Sequence, residues 1–122
     1  MNQDQLFEYA TEGNLIKLGQ IVGEADLAAT DADGMTPLMH ACANDHYAVA
    51  GLLTGQGNQT LDMQDNTGKT ALMHAAAAGA NKIVKTLIKT GAATDTVDND
   101  GNTAADHAQA SGDAKTIKHL NG

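Results

Sequence analysis

The chain has 122 residues, with 15 acidic residues against 7 lysines and no arginine, a net charge of −8, and only Phe7, Tyr9 and Tyr47 as aromatics. That length supports one domain, and the acidic balance with so few rings excludes the clustered cations and stacking platforms that grip nucleic acid. Cys42 is the single cysteine, which excludes an internal disulfide or a zinc-finger spacing and fits a reducing compartment.

From Met1 to Leu18 there is no basic segment followed by an apolar run, and no stretch approaches the roughly 20 apolar residues of a membrane span. A soluble cytoplasmic protein without membrane contact is expected. The first elements read as a helix pair over 6–11 and 15–22, broken at Gly13. Three matching runs follow: Asp31-Ala-Asp-Gly34-Met-Thr36-Pro37-Leu38-Met39-His40-Ala41, Asp65-Asn-Thr-Gly68-Lys-Thr70-Ala-Leu72-Met73-His74-Ala75, and Asp98-Asn-Asp-Gly101-Asn-Thr103-Ala-Ala105-Asp106-His107-Ala108. Their glycines step by 68 − 34 = 34 and 101 − 68 = 33, as do their histidines. Self-similarity at such a period is the mark of a stacked repeat.

Within each run the glycine allows a tight turn, because it alone reaches positive φ without a Cβ clash. Thr36, Thr70 and Thr103 are placed to cap the helix that follows, and Pro37 stands at a first helical position, where a missing N–H is harmless. These first helices are predicted over 38–43, 72–78 and 105–110. Breaks at Asp45, Gly79 and Gly112 precede second helices, of which the clearest carries Ile83, Val84, Leu87 and Ile88 on one face. Gly57 and Gly91 are expected to close second helices in the left-handed conformation. Gly51 and Gly55 fall inside the second helix of the 31–64 run, each costing about 1 kcal/mol relative to alanine. One extra residue also lies somewhere in 58–64, so this unit is the expected weak point. The last unit stops soon after Ile117 and Leu120, and both ends depart from the repeat as capping units do. Apolar content is 42%, but much of it is alanine, which implies helices in close approach.

The motif D-x-x-G-x-T-P-L-x-x-A, a break between two helices, an apolar second helix and a closing glycine at this period resemble the ankyrin repeat over essentially the whole chain. The resemblance implies an all-α ankyrin-repeat solenoid of about four helix-turn-helix units with short β-hairpin or turn loops. One domain over 1–122 then divides into an N-terminal cap at about 2–30, units at 31–64 and 65–97, and a C-terminal cap at 98–122. Met39, Met73 and Asp106 stand where the family usually has histidine, with His40, His74 and His107 one place later, so that histidine's customary bond is expected to be lost or rearranged. Asp45 replaces the inter-helix glycine.

Stacking turns sequence columns into surface ladders. Asp31, Asp65 and Asp98 form a column expected to bond its own turn backbone, with Asp33 and Asp100 freer near the tip. Lys82 aligns with Lys115 and Lys85 with Lys118, while Lys89 lies a turn further; Ile16, Gly19, Ala48 and Gly51 hold those places in the earlier units. These lysines read as a solvated helix face. Residues 1–61 sum to −7 and residues 62–122 to −1 (1 − 8 and 6 − 7).

The resemblance further implies a non-enzymatic protein-binding module without cofactor or metal, docking through its tips and the inner face of the first helices. Carried over by position, that surface is Ala32, Asp33, Met35, Ala43 and Asn44, then Asn66, Thr67, Lys69, Ala77 and Ala78, then Asn99, Asp100, Asn102, Ala110 and Ser111. It is polar, with Met35 as its best apolar anchor, and its acidic rim suits a protein partner with a basic surface. A monomer is expected. The alternatives are a metal- or small-molecule-responsive sensor or enzyme using His40, His74 and Cys42, or a self-associating structural subunit.

The near-motifs favour neither alternative. Gly68-Lys69-Thr70 ends like a phosphate loop but has Met63 where the first glycine belongs. Asp31-x-Asp33-Gly34 and Asp98-x-Asp100-Gly101 begin like calcium loops but offer Ala29 or Thr96 first and His40 or His107 twelfth. Helices about 8–10 Å apart keep the histidine column from converging on one ion, and a structural role, bonding to backbone, is expected for it. Cys42 lies two places beyond His40, so the two point to opposing sides of one helix.

Overall fold

Three of the helices begin at a threonine in extended conformation. The hydroxyl oxygens of Thr36, Thr70 and Thr103 accept the amides of Met39 (3.2 Å), Met73 (3.2 Å) and Asp106 (3.3 Å), satisfying donors that a helix start leaves unpaired. The computed structural model describes residues 3–57 and 60–121. Its helices are α1 (Gln3–Glu12), α2 (Leu15–Ile21), α3 (Pro37–Ala43), α4 (Tyr47–Thr54), α5 (Ala71–Ala77), α6 (Asn81–Thr90), α7 (Ala104–Ser111) and α8 (Ala114–Asn121). Among the described residues there is no strand, so the hairpin loops are hydrogen-bonded turns.

The helices form two layers. The inner layer runs α1, α3, α5, α7 and the outer layer α2, α4, α6, α8, each helix packing on the next in its layer and on its partner across the layers. The reason lies in the sequence columns. Ala71, Ala75 and Ala76 of α5 and Ala104 and Ala108 of α7 are all nearly inaccessible, and side chains this small let these two helices pack closely. Bulk comes from Leu6, Leu38 and Leu72 in one column and from Leu53 and Leu87 of the outer helices in another. On α6, Ile83, Val84 and Leu87 are buried and Ile88 is half-buried, as the stripe predicts. At the C-terminal end the inner positions turn polar: Asp106 and Gln109, exposed on α7, follow the buried Met73 and Ala76 of α5.

Three local expectations need correction. Gly57 does have positive φ (134°), but it lies beyond the end of α4; the helix closes at Gly55, which is right-handed with φ −67°. Gly55 is therefore a cap, and Gly51 is the one glycine inside α4. Of the two expected closures Gly91 makes the left-handed one, φ 107°, on α6, and Gly112 closes α7 in the same way, φ 74°. Helices α3, α5 and α7 also start one residue earlier than read, because the position after a capping threonine is already helical, and α1 starts at Gln3, three residues before the 6–11 reading. The extra residue of this unit falls in 58–64, of which Asn58 and Gln59 lie outside the described residues; Thr60 and Leu61 are buried. Asp45 has φ 56° at the α3–α4 break, the place taken by Gly13, Gly79 and Gly112 elsewhere.

α4, with 8 residues, is thus shorter than α6 with 10 and carries an exposed interior glycine, and neither helix has a side-chain cap. Hydrogen exchange is expected to show 49–57 opening before 83–88; the reverse order would contradict this reading. A Cβ at Gly51 meets nothing within 4 Å. Gly51→Ala is accordingly expected to stabilise the chain by about 1 kcal/mol, read as a higher urea midpoint at unchanged slope.

Candidate functional site

The tip edge is built from one carboxylate per unit. Asp31 Oδ1 accepts the amides of Asp33 and Met35 (both 3.0 Å), and its Oδ2 accepts from His40 Nε2 at 2.7 Å. Asp65 repeats this with the amides of Thr67 (2.9 Å) and Lys69 (3.0 Å), the Thr67 hydroxyl (2.7 Å) and His74 Nε2 (2.8 Å). Asp98 does so with the amides of Asp100 (2.9 Å) and Asn102 (3.0 Å) and with His107 Nε2 (2.8 Å). An ionised carboxylate only accepts, so each imidazole must carry its proton on Nε2. The aspartates therefore bond their own turns as expected, whereas the histidines reach carboxylates rather than backbone. Each pair ties a turn to the helix that follows it.

Burial and hydrogen bonding compete at these acids. Partial burial pushes Asp31 up, but the His40 bond and the amides of Met35 and Asp33 outweigh it and hold the carboxyl below its ordinary value. Asp65 behaves alike: burial raises it, and the bonds from Thr67, His74 and the Lys69 amide prevail. At Asp98 the Asn102 amide is the largest influence and, with His107 and the Asp100 amide, holds the acid low. Burial pushes His74 below the ordinary histidine range despite its bond to Asp65, with Lys69 and His40 adding to the effect.

Between units the tips are joined by asparagine. The Asn66 amide donates to Asp33 O (3.0 Å) and its Nδ2 to Ala32 O (3.1 Å). Asn99 makes the equivalent bonds to Thr67 O (3.0 Å) and Asn66 O (3.0 Å). The approach is so close that a Cβ on Gly34 or Gly68 would lie 2.9 Å or 2.8 Å from the next tip's main-chain nitrogen. Only glycine fits there.

On this frame Ala32, Asp33, Asn66, Thr67, Asn99, Asp100 and Asn102 are exposed at the tips, and Ala43, Asn44, Ala77, Ala78 and Ala110 are exposed at the ends of the inner helices. Met35, Lys69 and Ser111 are half-buried, and Met35 packs against the core, which weakens it as an anchor. Asn66 and Asn99 spend their side chains on the stack, and Asn44 Nδ2 donates to His40 O (2.8 Å). The side chains left free at this edge are therefore those of Ala32, Asp33, Asp100 and Asn102 with the exposed alanines, the Thr67 hydroxyl being spent on Asp65.

The residues of the sensor reading are not assembled for chemistry. His40 and His74 each engage their own aspartate, and Cys42 is fully buried, which pushes its thiol far up and keeps it protonated. Among the described residues no three histidine, cysteine or acidic side chains come together as a metal site. The amide of Lys69 and the hydroxyl of Thr70 are committed to Asp65 and Met73, leaving no phosphate cradle. A cavity of ≈ 250 Å³ lies beside Val22, Gly23, Ala25, Leu27 and Gln56, and its one acid, Asp26, accepts the Ala28 amide.

Several contacts escape the sequence reading. The constant Asp–His spacing of nine (31/40, 65/74, 98/107) was a legible signal for the pairs. Asn66 and Asn99 share one column, a second such signal. By contrast, His46 Nε2 bonding Thr11 O at 2.8 Å and the reciprocal cap between Thr103 and Asp106 occur once each and have no repeat to reveal them.

Family comparison agrees with this geometry. Profiles described as ankyrin repeats (three copies) and ankyrin repeat match residues 52–121 and 33–66. A search of curated proteins returns no match.

The titrations give a direction for stability. His74 is low in the folded chain, so the unfolded chain takes up its proton first, and stability is lost as pH falls below about 6.5. Asp31, Asp65 and Asp98 are likewise low when folded; their contribution is present above about pH 4 and disappears as pH drops through their folded values. Thermal melts should therefore show a small decline below neutrality and a steeper one in acid, with His74→Gln removing the first. A midpoint independent of pH from 7 to 3 would refute the account.

Proposed function

Since the chain belongs to the ankyrin repeat family, we propose that it is a non-enzymatic module that binds a partner protein along its tips and the exposed ends of its inner helices. Ankyrin repeats are generally protein–protein interaction modules. The observation that supports the reading is the double locking of the tip edge: each turn is held to its helix by Asp–His and to its neighbour by Asn66 or Asn99. A surface already fixed in shape loses little conformational entropy on docking.

The composition of the edge indicates the kind of partner. Asp33 and Asp100 project at the tips, and alanines rather than large rings line the inner helix ends. Such a surface suits a basic partner, drawn in by charge and released readily, with association faster at low salt.

The test is capture of host proteins by the immobilised chain, compared with a variant carrying Asp33→Ser, Ala77→Arg, Asp100→Ser and Asn102→Arg. These positions are exposed, so the helical circular dichroism should be retained. Retained protein is expected to fall at least about tenfold. Undiminished capture would remove the tip edge from consideration.

A further inference from the structure

The four outer helices, α2, α4, α6 and α8, contain none of the 15 acidic residues and six of the 7 lysines. They hold +6, and the rest of the chain holds 1 − 15 = −14, which together give −8. A strongly acidic protein thus has one layer free of acid.

That layer changes character along the stack. The second residues of its helices are Ile16, Ala48, Lys82 and Lys115, and three places on come Gly19, Gly51, Lys85 and Lys118, all exposed. Ile16 is 77% exposed, Tyr47 50% and Leu15 42%, three of the four large hydrophobics left in solvent among the described residues. Their equivalents in the later helices are Asn81, Lys82 and Ala114 with Lys115. Since equivalent positions share a face, an apolar patch and a cationic patch lie end to end on one surface. Lys17 stands apart, its Nζ over the Tyr9 ring at 5.8 Å.

We propose that this outer face docks an acidic amphipathic segment of a partner protein, its apolar end on Leu15, Ile16 and Tyr47 and its acidic end on Lys82, Lys85, Lys115 and Lys118. Charge complementarity selects the sign. The width of the face selects the form: three helix-to-helix steps of about 8–10 Å span about 24–30 Å, the length of a helix of about 16–20 residues. The borders select a protein over a bilayer. Asp45 and Asp113 precede α4 and α8, and Asp62 and Asp95 lie past the opposite ends of α4 and α6, so a flat anionic surface would press against acids that a narrow ligand avoids. The face lies in the layer away from the tip edge, so the chain would join two partners of opposite charge, and this site does not depend on the tip reading.

The experiment uses the full chain and a labelled synthetic helix of about 20 residues, leucine- and alanine-rich in one half and glutamate-rich in the other, followed by fluorescence anisotropy. Binding should weaken at least about tenfold on Lys82→Glu, Lys85→Glu, Lys115→Glu and Lys118→Glu together, and about threefold on Ile16→Ser with Tyr47→Ser. A glutamate-only peptide should bind more weakly and ignore the Ile16 and Tyr47 changes. All six positions are exposed, and unchanged circular dichroism checks folding. No binding of the amphipathic helix, affinity indifferent to charge reversal, or equal affinity for the glutamate-only peptide would overturn the proposal. So would sedimentation with phosphatidylserine–phosphatidylcholine vesicles without peptide binding, which would mark a bilayer-facing surface. Host-protein capture by the charge-reversed variant remains intact if the tips act independently, which separates failure here from failure of the tip reading.

Discussion

A carboxylate that serves several donors at once holds each tip of this solenoid. At Asp65 one oxygen gathers two turn amides and a hydroxyl while the other receives an imidazole from the next helix. Hydrogen bonds to an ionised acceptor are among the stronger ones in proteins, and each partner here would otherwise be left half-desolvated. The turn, the start of the helix and the tilt between them are fixed together. Because the device recurs at Asp31 and Asp98, the tips share one shape and can stack closely enough for asparagine to bridge them.

The outer layer follows a different logic. Its buried side chains, Val49, Leu53, Ile83, Val84 and Leu87, supply most of the bulk that alanine-rich inner helices lack. Its exposed positions are free to vary, and they vary by region, apolar and small early in the stack and lysine-rich late. The acids crowd onto the tips, loops and inner helices instead. Two layers of one small domain thereby present opposite electrostatic faces, separated by a helix-to-helix spacing of about 8–10 Å, comparable to the distance over which salt screens charge.

The architecture was readable because every unit states it again. The threonine caps, the breaks at Gly79 and Gly112 and the stripe on α6 each rest on a local rule that the chain obeys several times. What was misread has a physical cause as well. Gly57 looked like a helix closure, but α4 ends earlier, at a right-handed Gly55, because the turns after Thr54 bond back through Gln56 and Gly57. Backbone partners are the sequence expectation for the histidines because periodicity fixes which side chains align but not which acceptor within reach is strongest; an ionised carboxylate prevails over a carbonyl. Met35 looked like an anchor from its place in the turn, and only the three-dimensional packing shows it leaning on the core. The tip surface was legible as a set of positions, while which side chains are already engaged required the bonds between units.

Cys42 sits on α3 inside the core, its sulfur sealed from solvent and its thiol kept protonated by that enclosure. An alkylating reagent can reach it only while the sheath of neighbouring helices is parted. The single cysteine is thus a natural gauge of how often the middle of the stack breathes, readable without a label and without altering one residue of the chain.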